Sequence, residues 1–397
     1  MFTSMSMRMR AGLAAIQMMA SLLLLVGAAL FVRSARHAES IALGFEPRGV
    51  VVLDIEASSR TTPDSRRRFF EELVRRVAAL PGVESVATSS RAPLDSSTPL
   101  VRVNAREPVA PTGDTTSITA SALVVGVRYF DVVKTPLIAG RAFSDRDVAG
   151  NPAVVILNET LAGWLWPGAS AIGRRLWLDP HTSAEPCVVV GVARNSKYLT
   201  LGEEPRGHVY LPFEQHSNPD VALLVRSVNP LDRTASQVQA TLRTLDADVQ
   251  GFFTRTLTEH VSVSLLPVRL ATSLSLVVAS LALALASIGL YALVSFVVAE
   301  RTNEIGLRMA LGATAREVMR LVLGYGVKLA ALGLAAGLPV ALMTSRLLGT
   351  LLYGVSPTDP LVFVAAPMVV LSVALVACYF PVRRAMRLDP LTALRRL

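Results

Sequence analysis

Charge is scarce in this chain. Only 17% of its 397 residues are Asp, Glu, Lys or Arg, against 52% hydrophobic, a balance too apolar for an ordinary soluble protein. Acidic residues are the scarcer kind, and the formal net charge is +9. A basic excess can mark a nucleic-acid binder. Here the arginines stand beside apolar segments instead of interleaving with aromatics, so no nucleic-acid partner is expected and positive-inside membrane topology accounts for the excess. Cysteine is nearly absent, with Cys187 and Cys378 the only two. The segments below put one outside and one within a membrane span, which argues against an internal disulfide and a cysteine metal site.

Catalytic signatures are missing too. The sequence has no G-x-x-x-x-G-K-[ST] phosphate loop, no H-E-x-x-H, no G-x-S-x-G and no C-x-x-C. Gly324-Tyr325-Gly326 with Lys328 falls inside an apolar segment, where Lys328 reads as an interfacial residue. The five histidines, His37, His181, His208, His216 and His260, are scattered. No catalytic residue, metal ligand or directly bound cofactor is expected, and the chain alone is not expected to be an enzyme.

What is present comes in blocks. Arg8 and Arg10 precede an apolar run from Ala11 to Val32, longer than a signal-peptide core and read as a retained span, so residues 1–32 form the N-terminal segment and transmembrane helix 1. Further spans fall at 266–298, 321–344 (with Gly333-x-x-x-Gly337, a close-packing motif for helices in lipid) and 361–382, where Pro367 and Pro381 read as kinks or ends. The motif suits packing within one subunit more than a dimer contact. The 345–360 loop holds one basic residue, Arg346, whereas Arg8, Arg10, the 299–320 loop and the 383–397 tail are arginine-bearing. Both termini are therefore expected in the cytoplasm, with residues 33–265 outside.

That outer region reads as α/β. Strand Val50–Ile55, a helix opened by Pro63 and ended by Pro81-Gly82, and strand Val83–Thr88 are followed much later by strand Val221–Val225, helix Leu231–Leu245 and strand 252–256. Two β-α-β units on either side of an insertion, about residues 100–212, predict a split ferredoxin-like subdomain with a mostly β second subdomain. The fold class expected is an α+β membrane protein: four transmembrane helices and a large extracytoplasmic α/β domain.

Between the second and third spans lies AERTNEIGLRMALGATAREVMRLVL, Ala299–Leu323. Glu304 and Arg308 stand at i,i+4 in the order that supports a helix. Gly312 reads as a stop, and Thr314-Ala315-Arg316-Glu317 as a capping box that starts the next helix. Residues 304–312, EIGLRMALG, resemble the coupling loop of FtsX/MacB-type ABC permeases. Tyr129-Phe130 with Gly140-Arg141-Ala142-Phe143, Val155-Ile156-Leu157-Asn158-Glu159 with Trp166-Pro167-Gly168 and Ile172-Gly173, and Val189-Val190-Gly191-Val192 with Tyr210-Leu211-Pro212 resemble the periplasmic core domain of the same family. The tail Pro381-Val382-Arg383-Arg384-Ala385 with Asp389-Pro390-Leu391-Thr392-Ala393-Leu394-Arg395 resembles its ending.

The resemblance implies a permease subunit of the bacterial inner membrane that couples ATP hydrolysis in a separate ABC ATPase subunit to movement of its outer domain, a mode called mechanotransmission. It implies that Glu304, Ile305, Leu307, Arg308 and Met309 dock that ATPase, with ATP and Mg bound only there. It also implies lipid contact, a homodimer or pairing with a similar half, and room for an unidentified periplasmic adaptor. Long acidobacterial-type permeases carry two such halves, and this chain reads as one half or a half-length relative. The amphipathic helix many members place before the first span is missing or reduced to Met1–Arg10. Other readings are a membrane-anchored sensor or adaptor, a regulator of cell-wall hydrolases, and a secondary transporter; the last needs mid-membrane ionisable residues, which the spans lack.

Overall fold

The computed structural model describes residues 2–56, 62–105, 117–178, 185–216, 220–245, 253–300, 314–349 and 352–385. Residues 301–313, with Glu304, Ile305, Leu307, Arg308, Met309 and Gly312, and the tail from 386 lie outside the described residues. The chain forms two units, Ile41–Leu265 and the segments flanking it.

In chain order the elements are α1 (Phe2–Ser40), β1 (Val50–Glu56), α2 (Pro63–Ala78), β2 (Val83–Ser89), β3 (Leu100–Asn104), β4 (Ile118–Val125), α3 (Tyr129–Val133), β5 (Leu137–Gly140), β6 (Val154–Asn158) and α4 (Glu159–Leu165). They continue with β7 (Arg175–Leu178), β8 (Cys187–Ala193), β9 (His208–Pro212), β10 (Asp220–Ser227), α5 (Leu231–Leu245), β11 (Phe253–Thr256), α6 (Leu257–Ser264), α7 (Leu266–Glu300), α8 (Ala315–Leu347) and α9 (Pro360–Ala385).

The core domain, Ile41–Leu265, is built on strand alternation. In β1, Val51, Leu53 and Ile55 face α2 and α5, packing with Phe70, Leu73, Val238 and Leu242. Val50 and Val52 point to the opposite face, where Leu224 of β10 and Tyr129–Val133 of α3 lie. Strand order β11-β1-β10-β2, antiparallel throughout, is the ferredoxin-like arrangement that the two β-α-β units predict. Helix α2 begins where Thr62 caps Ser65 N–H at 3.3 Å with Pro63 in the first turn. After it, Gly82 turns at φ +83, packed so tightly on the Asn229 side chain that a Cβ would collide with it.

The insertion closes on itself, which the sequence reading did not foresee. From β4 the pairing runs β3, β7, β8, β6, β9 and back to β4, a ring of six strands joined to β2 through Ser89 and Val125. Parallel pairing of β4 with β9 makes the closure. Val155 and Leu157, Val209 and Leu211, and Ala120 and Ala122 share one face of the ring. Their neighbours Ile156, Tyr210 and Leu123 share the other.

The helical unit comprises α1, α7, α8 and α9. Four helices are long and apolar enough to cross a membrane: Met9–Ser40, Leu266–Glu300, Met319–Leu347 and Pro360–Arg384. Helix α1 runs past the boundary placed at 32, because Ser34 and Ala38 are buried in the unit and Arg33 bonds Asp359 at 2.6 Å. Arg346 belongs to the last turn of α8, where it complements the helix dipole, and not to the loop. Pro367 and Pro381 lie inside α9 and end nothing. Thr314 N–H donates to Glu317 Oε2 at 3.0 Å, so the boxed start of α8 stands where the sequence put it.

Candidate functional site: a glycine seam and a core-domain groove

Helix α8 presents Gly333 and Gly337, about one turn apart, to α1. A Cβ on Gly333 would stand 2.7 Å from Met18 Cβ and 2.8 Å from the Ala15 carbonyl oxygen. On Gly337 it would stand 3.0 Å from Leu22 Cδ2 and 3.3 Å from Met19 Cγ. At Gly333 the two backbones thus approach closely, and at Gly337 side-chain atoms of α1 fill the space, all inside a single chain. On α7, Gly289 admits Gln17, and Ser21 Oγ donates to the Ala282 carbonyl at 3.0 Å. On α8, Gly326 admits Cys378 of α9. Helix α1 is therefore gripped on two sides by small residues, while Leu274, Leu281, Leu285 and Ile288 of α7 stay exposed as a face suited to lipid. The hydrophobic set shared by the four helices includes Met18, Leu22, Leu290, Val294, Ala330 and Val370, with Ser21, Ser34 and Ser345 also buried in these helices.

In the core domain the motif residues turn out to be joints. Asn158 caps α4 by accepting Leu161 N–H at 3.1 Å and also accepts His208 N–H at 2.9 Å. Its amide donates to Asn195 at 2.9 Å and to the Arg206 carbonyl at 2.8 Å, so one side chain ties three segments. Arg141 grips Asp147 with two nitrogens, at 2.7 and 2.9 Å, and Ser144 N–H donates to the same carboxylate. The guanidinium and the serine hold Asp147 below the ordinary carboxyl value, against burial, which acts the other way. Tyr210 stacks edge-on to Phe130 at 4.9 Å, and His208 lies flat on Tyr198 at 3.8 Å. Burial pushes the His208 imidazole down to about 3, so this histidine is a neutral core residue. Asp147, Asn195 and Arg226 were not singled out from the sequence. Arg226 had one signal: it continues the parity of Ala222 and Leu224 in a buried strand.

A groove of about 320 Å³ opens between α2 and β2. Phe70, Val74 and Phe213 wall it, and Glu71, Asp145 and Glu214 carry its acid. Burial, then the charge and hydrogen bond of Glu71, push Glu214 from 4.5 up to about 7. A carboxyl raised in the folded state keeps its proton only there. Stability is therefore full below the ordinary value and is lost as pH climbs toward 7. The expected result is a core-domain unfolding midpoint that falls across that window and a Glu214→Gln variant that does not follow it. Parallel pH curves for the two proteins would remove the assignment.

The MacB-like periplasmic core domain family matches residues 13–243, and the FtsX-like permease C-terminal family matches residues 276–390. Among curated relatives, the macrolide export ATP-binding/permease protein MacB of Azoarcus sp. is 28% identical over 272 residues, covering 65% of this chain and 40% of that protein. The probable export ATP-binding/permease protein MacB of Pseudomonas entomophila is 25% identical, covering 89% of this chain and 54% of that one. MacB of Shigella sonnei is 26% identical, covering 90% and 55%. The chain thus spans about half the length of the curated relatives it matches. Of solved structures, the periplasmic region of MacB from Actinobacillus actinomycetemcomitans aligns at 16% identity and TM-score 0.37, over 54% of this chain and 92% of that one. The core-domain match alone takes in more than half of the sequence, and the second match takes in three of the four long helices. The chain belongs to the FtsX/MacB-type permease family.

Proposed function

We propose that this chain is the permease subunit of an ABC transporter of the bacterial inner membrane, coupling ATP hydrolysis in a separate ATPase subunit to movement of its periplasmic domain. The observation that carries the reading is the core of the helical unit. Apolar side chains, glycine contacts and a few buried hydroxyls such as Ser21 fill it, and among the described residues no acidic or basic side chain is buried midway along a span. Such a core transmits displacement and offers no polar path for a substrate. Nucleotide belongs on a partner, since this chain has no phosphate loop. Two membrane halves complete such a transporter, so a homodimer or a pairing with a similar permease half is part of the proposal, with both termini cytoplasmic. An extracytoplasmic adaptor is compatible with it.

The test is capture of the ATPase. Leu307 and Met309 serve as apolar anchors of the docking helix, and truncating an interfacial anchor costs about 2 kcal/mol or more, roughly 30-fold in affinity. Leu307→Ala with Met309→Ala, or Glu304→Lys, should insert normally yet lose the ATPase on co-purification, with coupled hydrolysis falling in parallel. An i,i+4 pair of the kind the sequence offers at 304 and 308 would contribute only about 0.3–0.5 kcal/mol to a helix, so loss of fold would not explain such a result. Normal capture and stimulation would reduce the segment to a solvated loop, whereas a wild-type chain that captures no ATPase at all would favour the sensor or hydrolase-regulator reading.

A further inference from the structure

The end of the helical unit where α1 finishes and α9 begins carries a polar cleft of about 400 Å³. Arg33, Arg36, His37, Ser40, Ser356 and Asp359 line it. Its one carboxylate is already engaged: Asp359 accepts from Arg33 Nη1 at 2.6 Å and from Leu361 N–H at 3.0 Å. Nearby, Glu39 is taken by Arg269 at 2.9 Å. Four arginines at this end (Arg33, Arg36, Arg269, Arg346) against two carboxylates (Glu39, Asp359) leave an excess of two positive charges besides His37. Arg36 is exposed and has no ion-pair partner among the described residues. His37 is set in place by Gly354, which turns at φ +61 so close to the imidazole that any Cβ would strike Nε2. A left-handed glycine spent on seating an exposed histidine beside an unpaired arginine marks a prepared polar wall that carries the free charge of Arg36.

The surroundings are apolar. Met343 and Leu347, in the last turns of α8, are 73% and 80% exposed, and Leu361, in the first turn of α9, is 64% exposed. A cationic cleft at the end of such a surface matches an amphiphile with an anionic head. We propose that this cleft binds the phosphodiester headgroup of an anionic membrane lipid, with Arg36 and His37 on the phosphate, Ser40 and Ser356 as hydroxyl partners, and the acyl chains along the exposed side chains of α8 and α9. The inference does not depend on the ATPase; with the orientation proposed above, the lipid belongs to the outer leaflet.

Native mass spectrometry of the full chain released from mixed phosphatidylglycerol and phosphatidylcholine micelles tests it. One free arginine near a lipid phosphate, with His37 as a hydrogen-bonding partner, supports a preference for phosphatidylglycerol of about fivefold or more. Arg36→Gln with His37→Gln should abolish that preference while the helical circular dichroism melt stays unchanged. Arg36→Lys, which keeps the charge, should retain most of it. If the double variant proves unstable, Arg36→Gln alone carries the comparison. Inorganic phosphate at millimolar concentration should not displace the lipid. Displacement by phosphate from the wild type but not the variant would assign the cleft to a free anion and overturn the lipid source. Equal retention of both lipids, or retention untouched by the variants, would overturn the site altogether.

Discussion

Arg226→Met lowers the unfolding free energy of the core domain by about 2–4 kcal/mol, and Arg226→Lys recovers less than half of that loss. Arg226 is 5% exposed. Its Nε donates to the Val132 carbonyl at 2.6 Å, Nη1 to the Arg48 carbonyl at 2.8 Å and Nη2 to the Glu46 carbonyl at 2.7 Å. One guanidinium thus fastens the last residues of α3 and the approach to β1 onto strand β10. Burial pulls its pKa down, opposed by Glu46 and Glu84, so the site works as a hydrogen-bond hub and not as an ion pair. Methionine fills the volume but leaves three acceptors unpaired, and each unsatisfied buried acceptor costs about 1–3 kcal/mol, less where water reaches it. Removing a desolvated charge returns part of this, hence an estimate below the full sum. Lysine offers one nitrogen where three fixed directions are needed. The measurement is denaturant unfolding of the whole chain followed by tryptophan fluorescence. All three tryptophans, Trp164, Trp166 and Trp177, lie between Ile41 and Leu265, so the signal reports that unit alone. A methionine variant as stable as the wild type would show that water or a shifted backbone replaces the fork.

The ferredoxin-like half of that unit was legible because its information is local. Pro63, the 3–4 spacing of Phe69, Phe70, Leu73, Val74 and Val77, and β-branched runs such as Val50–Val52 fix period and ends with no knowledge of partners. Closure of the ring was not legible. It depends on β4 meeting β9 across more than eighty residues, and a pairing partner leaves no trace in a strand's own alternation. Gly140 and Gly191 are instructive here. Both stand in stretches that carried the family resemblance, yet their physical reason appears only when Val190 and Arg141 are seen against them. Proline at 367 and 381 does not end the helix, because in an apolar bundle neighbouring helices hold a span together past a missing N–H. The helices also run beyond the apolar runs: hydropathy stops at the first charge, whereas α1 continues to Ser40 past the buried small residues Ser34 and Ala38.

The glycine seam supplies the second large effect, and a series along α8 separates its causes. Gly333→Leu is expected to destabilise the helical unit by about 3 kcal/mol or more, at the upper end of overpacking costs. Even Gly333→Ala should destabilise, although alanine gains about 1 kcal/mol over glycine in a helix interior. The reason is what the new methyl meets. At Gly333 one obstacle is the Ala15 backbone carbonyl, 2.8 Å away, and the other is Met18 Cβ at 2.7 Å; neither can swing aside without moving α1. Gly337 faces side-chain atoms first, Leu22 Cδ2 at 3.0 Å and Met19 Cγ at 3.3 Å, with backbone no nearer than Met19 Cα at 3.4 Å, so Gly337→Ala should be nearly neutral. Gly324 has nothing within 4 Å of its would-be Cβ, and there Gly324→Ala should stabilise. The readout is the far-UV circular dichroism melt of the detergent-solubilised chain, which the long helices dominate, with tryptophan unfolding of the core domain as the internal control. The order expected in melting temperature is Gly324→Ala above wild type, Gly337→Ala level with it, then Gly333→Ala, then Gly333→Leu lowest. If Gly333→Ala rises together with Gly324→Ala, helix propensity outweighs the contact, α1 and α8 are not packed backbone to backbone, and the stiff core on which the transmitter reading rests is lost.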